Sequence, residues 1–134
     1  MSFATKPLPE KPDTVAPDGS LVRLLLEETR GSMAHFELAP GATSTAVVHR
    51  TVEELWFFLA GEGELWRRQG DYEAVVSVHR GVAISIPVGT RFQFRSVGTE
   101  ALTAVGTTIP PWPGTEEAVV VAGKWTPTVP QKTR

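Results

Sequence analysis

The residues of this chain best suited to chemistry are His49 and Glu54, which lie in the stretch Gly41 to Gly63, GATSTAVVHRTVEELWFFLAGEG. An imidazole nitrogen and a carboxylate oxygen can together hold a divalent ion such as zinc, iron, manganese or nickel. A catalytic metal centre usually takes three protein ligands and keeps one position open. The pair supplies two of them, so a third would have to come from His35, His79 or a neighbouring carboxylate such as Glu53. The alternative favoured by the surrounding residues is a buried, hydrogen-bonded pair in which the glutamate raises the pKa of the histidine. In either case the two groups stand in an apolar stretch, where a polar side chain without a partner is costly.

Other chemistries lack their residues. There is no cysteine, which removes disulfides, thiolate nucleophiles and cysteine-bound zinc or iron–sulfur centres. No Gly-Lys-Ser phosphate loop, dinucleotide glycine fingerprint, His-Glu-x-x-His helix or Gly-x-Ser-x-Gly elbow occurs. The doublets Glu53-Glu54 and Glu116-Glu117 are not catalytic dyads, because neighbouring residues on a strand face opposite ways. Arg91 and Arg95 share a face and could clamp a carboxylate or phosphate. Two solvated arginines on a polar strand face are the simpler expectation. A net charge of -2 leaves no basic surplus for a phosphate backbone, so nucleic acid is not an expected partner.

The elements that must position His49 and Glu54 are short strands. The chain has 134 residues, enough for one domain with a real core, and 12 glycines and 11 prolines favour turns over long helices. Residues 1–19 carry Pro7, Pro9, Pro12 and Pro17 without periodicity and are expected to form an extended arm. Strands are expected at 21–27, 32–38, 43–48, 54–60, 64–67, 73–78, 82–86, 91–95, 101–109 and 119–121, between Gly, Pro and Asp turn signals. The segment Glu54 to Ala60, ELWFFLA, is apolar on both faces after Glu54, so both faces should be covered, one by the interior and the other by a second sheet or another subunit. Trp112 lies in the proline-rich Pro110 to Gly114 loop, which should be ordered because an indole is costly to leave in water. Residues 126–134 read as a frayed tail. The pattern predicts an all-β sandwich or barrel. The N-terminus lacks the apolar core of a signal peptide and no apolar run is long enough to span a bilayer, so a cytoplasmic protein off the membrane is expected.

Two stretches carry a family resemblance. Gly41, five residues, Val47-Val48-His49, four residues, Glu54, six residues and Gly61 follow the spacing of the first motif of the cupin superfamily, with Val47 in place of its first histidine. Gly81, five residues, Pro87-Val88-Gly89, two residues, Phe92, three residues and Ser96 follow the second motif, with Phe92 in place of its histidine and Ser96 in place of its asparagine. The chain therefore resembles a small cupin over residues 20–125, which implies a double-stranded β-helix or jelly-roll barrel with its site in the barrel mouth. An intact site of that family would offer three histidines and a glutamate, of which His49 and Glu54 remain.

The resemblance thus implies a cupin-like protein that binds a small molecule, forms a homodimer and has no tightly held cofactor. A ligand pocket in place of the metal centre would be lined by Val47, His49, Glu54, Trp56, Phe58, Phe92, Phe94 and Ser96, mostly apolar with a few placed polar groups. A small barrel packed solid by the same aromatics is the competing expectation. Two further functions stay open: a metal-dependent isomerase, dioxygenase or decarboxylase using His49, Glu54 and a third ligand, and a structural or regulatory dimer.

Overall fold

A computed structural model describes residues 2–130; the end of the expected tail, residues 131–134, lies outside the described residues. The strands in chain order are β1 Thr14–Val15, β2 Leu21–Glu28, β3 Gly31–Leu38, β4 Val47–His49, β5 Glu53–Ala60, β6 Glu62–Gln69, β7 Tyr72–His79, β8 Ala83–Ile86, β9 Arg91–Ser96, β10 Leu102–Ile109 and β11 Ala118–Val120. One short 3-10 turn, Thr115–Glu117, precedes β11. Among the described residues no helix is long and apolar enough to cross a membrane.

Two antiparallel sheets form a jelly roll. The larger runs β1-β2-β3-β10-β5-β8 and the smaller β11-β4-β9-β6-β7. Their inner faces share one core: Leu38, Trp56, Phe58, Ile86 and Leu102 come from the first sheet, and Val47, Leu65, Val78, Phe92 and Phe94 from the second. Alternation decides this partition, since on β5 every second side chain from Glu54 points inward. Gly61, at the β5–β6 turn, has φ of 84°, and a side chain there would press on Ala101 O and Leu102 Cα.

The structure departs from the expected strands mainly between Thr43 and Ala46. Thr43 makes only an isolated bridge to Arg95. The Ser44 hydroxyl accepts from Phe94 N, and Thr45 N donates to Asp18 O, so this stretch satisfies its groups outside a regular ladder. The N-terminal arm lies on its own sheet: β1 pairs with β2, Arg23 donates to Pro9 O, and Lys6 donates to Leu24 O. Nor is the described part of the tail frayed. Thr128 N donates to Thr43 O and the Thr128 hydroxyl accepts from Thr43 N, while Val129 packs on the core.

The outer faces of the two sheets are treated differently. On the smaller, Gln93 is buried because its amide exchanges hydrogen bonds with the backbone of Trp125, whose ring lies under the Arg95 guanidinium at 4.2 Å. On the larger, the outward side of β5 stays open: Leu55, Phe57 and Leu59 are 56%, 45% and 40% exposed. The expectation that both faces of this strand are covered is not met within one chain, because the arm covers β2 and stops short of β5.

Candidate functional site

His49 ends β4, a strand of the smaller sheet that pairs with β9 through Val47↔Phe92 and with β11 through His49↔Ala118. Glu54 enters from β5 of the larger sheet, opposite Thr108 on one side and Ile86 on the other. Strand alternation turns Val47 and His49 inward on one sheet and Glu54, Trp56 and Phe58 inward on the other. The pair therefore meets across the sandwich, with His49 Nδ1 lying 3.2 Å from Glu54 Oε1. Nδ1 is close to the carboxyl but not aligned with it, and makes no hydrogen bond.

Both residues are almost fully enclosed, at 5% and 3% exposure. Burial pushes the His49 imidazole down to about 4, with the Glu117 carboxylate opposing that fall. Burial likewise pushes the Glu54 carboxyl up to about 8; the nearby Trp56 N–H pulls the other way, although it makes no well-formed hydrogen bond, and Asp18 adds to the rise. At neutral pH the pair is a neutral imidazole beside a protonated acid. The expected effect, in which the glutamate raises the histidine's pKa, is overruled because desolvation disfavours the charged form of each group.

Beside the pair opens a cavity of about 470 Å³. Its apolar wall includes Val22, Ala34, Phe36, Val47, Trp56 and Trp112. Polar groups are few: Asp18, Ser32, His49, Glu54 and Thr108 among them. Neither lysine nor arginine is in the wall. Of the eight side chains assigned to a pocket from the sequence, Val47, His49, Glu54 and Trp56 line this space. Phe58, Phe92, Phe94 and Ser96 do not; they are buried between the sheets, where Phe58, Phe92 and Phe94 pack edge-on around Trp56 with centroids 6.0, 5.8 and 5.2 Å away. The cavity lies instead on the side of Trp56 that faces β2 and β3.

Room on that side comes from small residues. Gly106 of β10 sits opposite Trp56, and a Cβ there would stand 2.7 Å from Phe36 Cε2 and 2.8 Å from Trp56 Cδ1. Its absence lets Phe36 and Trp56 stack at 5.0 Å and form one wall. The Pro110–Gly114 loop folds back over the opening, held by a hydrogen bond from Trp112 N to Ser32 Oγ. Its indole meets the His49 ring edge-on, as Phe92 does from the core side, each at 5.1 Å.

The candidate third ligands are elsewhere. His35 points to the opposite face of β3 from the lining residues Ala34 and Phe36, in register with Arg23 and Val105. His79 is exposed, with Nδ1 3.0 Å from Arg80 O, and Glu53 is exposed on the outer side of β5. Among the described residues no group of three or more His, Cys, Asp or Glu is placed to hold a metal ion. The donor set falls short of a catalytic metal centre: His49 and Glu54 supply two donors, and Val47 and Phe92, which stand where the motifs would put the others, have no electron pair to give.

Two acids near the site carry structural duties that a sequence reading missed. Glu117 accepts hydrogen bonds from Thr51 N, Thr51 Oγ1 and Val52 N, fixing the turn between His49 and Glu54. Burial raises its pKa, but these bonds outweigh it and hold the carboxyl below its ordinary value. Asp18 accepts from Ser20 N and Oγ at the floor of the cavity, and burial raises its pKa. The Asp-Gly-Ser sequence at 18–20 is a turn signal that could have located Asp18; nothing local marks Glu117.

The cupin domain family matches residues 34–108. Among solved structures, BH2720 from Bacillus halodurans superposes with a TM-score of 0.63 at 20% identity, covering 76% of each chain. The oxalate decarboxylase of Bacillus subtilis, which carries Mn(II) centres, gives 0.70 at 14% identity over 84% of this chain and 30% of its own. CapF, solved with the inhibitor 3-isopropenyl-tropolone, gives 0.68 at 18% over 87% of this chain and 34% of its own. The chain thus spans about a third of the length of the latter two. At these identities the likeness concerns the fold. No curated protein matches in sequence.

Proposed function

This chain belongs to the cupin domain family, and from that premise we propose that it binds a small organic molecule in the cavity beside His49 and Glu54 without a tightly held metal. The observation that carries the reading is the cavity itself: about 470 Å³, walled mostly by apolar side chains, with an imidazole and a carboxyl where a metal-binding relative would gather its ligands. A space of that size supports a ligand-binding site over a barrel filled by its own aromatics.

Protein purified without chelator should contain metal far below one ion per chain, and a screen of small aromatic and aliphatic compounds should raise its melting temperature. Stoichiometric iron, zinc, manganese or nickel that is lost on His49→Ala would replace this reading with the metalloenzyme one.

The same proposal includes a homodimer. The outward face of β5, where Leu55, Phe57 and Leu59 are exposed beside Ile109 of β10, is an apolar patch that a second copy would cover. Light scattering should give twice the chain mass, and Phe57→Glu should halve it. A monomeric mass for the unmodified protein removes the dimer.

A further inference from the structure

The charge of the wall says what kind of molecule the cavity can take. Among its lining residues are the acids Asp18, Glu27 and Glu54, and no lysine or arginine. An anionic ligand would enter a space with no positive partner, and an uncompensated buried charge is strongly unfavourable. A cation would be favoured only if the enclosed carboxyls gave up their protons. Burial, however, raises the pKa of both enclosed carboxyls, that of Glu54 to about 8, and Asp18 is already engaged by Ser20. Glu27 is exposed at the rim, where water screens it. The remaining wall is mostly hydrocarbon and indole, with the hydroxyls of Thr14, Ser32, Thr108 and Thr115 and the His49 imidazole as its other polar groups. Among its polar groups, His49 Nδ1 has no hydrogen-bonding partner beyond its unaligned contact with Glu54 Oε1 at 3.2 Å, and the Trp56 N–H beside the pair is likewise unpartnered.

We infer that the ligand is an uncharged, largely hydrocarbon molecule bearing one hydroxyl or carbonyl oxygen, and that this oxygen docks against Glu54 and His49 while Trp56, Phe36 and Trp112 enclose the rest. The inference rests on the ligand-binding reading above. A protonated carboxyl and a neutral imidazole can each donate or accept a hydrogen bond, so the pair suits a hydroxyl as well as a carbonyl. His49 Nδ1 and the neighbouring Trp56 Nε1 are buried without a hydrogen-bonding partner, which favours an oxygenated ligand over a pure hydrocarbon.

The test is equilibrium dialysis at pH 7 with four probes of one shape: 2-naphthol, naphthalene, 2-naphthoate and 2-naphthylmethylamine. The expected order places 2-naphthol first, by roughly tenfold or more over the carboxylate and the amine, and by a smaller factor over naphthalene. Glu54→Gln, which keeps a neutral hydrogen-bonding group, should preserve the preference of 2-naphthol over naphthalene. Glu54→Leu should erase it while still binding naphthalene. Equal or tighter binding of 2-naphthoate or of the amine overturns the inference and leaves the ligand-binding reading standing. So does a preference for 2-naphthol that survives Glu54→Leu. Failure of all four probes to bind the unmodified protein removes both.

Discussion

The Trp112 indole meets the His49 imidazole edge-on, with ring centroids 5.1 Å apart and planes at 74°, so a side chain from a proline-rich loop closes over a histidine delivered by the smaller sheet. The contact belongs to the cavity wall more than to the core, since Trp112 is only half-buried. Trp112→Ala should therefore weaken probe binding by about tenfold, equivalent to ~1.4 kcal/mol, with a smaller effect on folding. Dialysis with 2-naphthol alongside a thermal melt separates the two. A melting temperature that collapses while affinity holds would place Trp112 in the fold and not in the site.

The buried pair makes stability depend on pH in a predictable direction. Glu54 has its folded pKa raised from 4.5 to about 8, so its contribution is present at acid pH and is lost as pH rises through 8. His49 has its folded pKa lowered from 6.5 to about 4, so its contribution is present above 6.5 and is lost as pH falls toward 4. Between about 4.5 and 6.5 the two slopes oppose each other and nearly cancel. From pH 6.5 to 8 only Glu54 acts among the pair, and unfolding free energy should drop by about 2 kcal/mol. Urea unfolding across this range in the parent protein and in Glu54→Gln checks it: the variant should lose the drop above pH 6.5 and gain a rise between 4 and 6.5. A parent protein whose stability climbs from pH 6.5 to 8 contradicts the assignment.

Glu117 ties the turn that carries the chain from His49 to Glu54. Its carboxylate accepts from two backbone N–H groups and one hydroxyl, so Glu117→Ala leaves the buried Val52 N–H and the Thr51 donors without this partner. The expected cost is about 2–3 kcal/mol, visible as a lower denaturant midpoint at unchanged slope. Glu117→Gln, which keeps one acceptor oxygen, should cost less. Equal stability of Glu117→Ala and the parent would show that water replaces these bonds.

Gly106 is the position where the wall tolerates no side chain. Gly106→Ala would put a methyl against Phe36 and Trp56, and such overpacking typically costs about 1–3 kcal/mol. The variant should also bind probes more weakly, because the stack that forms one side of the cavity has to part. Parental stability in the Gly106→Ala variant would mean that the two rings move aside freely.

Much of the fold was legible in the chain. The strands from Leu21 to Ile109 follow the period-two pattern, and the expected and observed ends differ by only a residue or two for most of them. The motif glycines were readable for a physical reason: Gly41, Gly61, Gly81 and Gly89 all have positive φ, between 75° and 93°, which side-chain-bearing residues rarely adopt. Less legible were the stretches whose partners are remote in sequence. Thr43 to Ala46 looks like a strand by composition but is satisfied by Asp18, Phe94 and Thr128, and the tail looks polar and loose but docks on Thr43.

From the sequence, motif spacing and the family resemblance it carries implied that His49 and Glu54 face the barrel interior and that Val47 and Phe92 put hydrocarbon where donors would stand. Alternation along β5 could not choose, since both of its faces are apolar after Glu54. Only the tertiary structure decided where the empty space lies. That depended on Gly106 letting Phe36 stack on Trp56, on the arm bringing Asp18 beneath the barrel and on the Trp112 loop closing over it. The ionisation of the pair was likewise a tertiary matter. Desolvation is set by everything packed around a group, so a glutamate expected from the sequence to raise the pKa of the histidine beside it instead joins it as a neutral acid next to a neutral imidazole once both sheets enclose them.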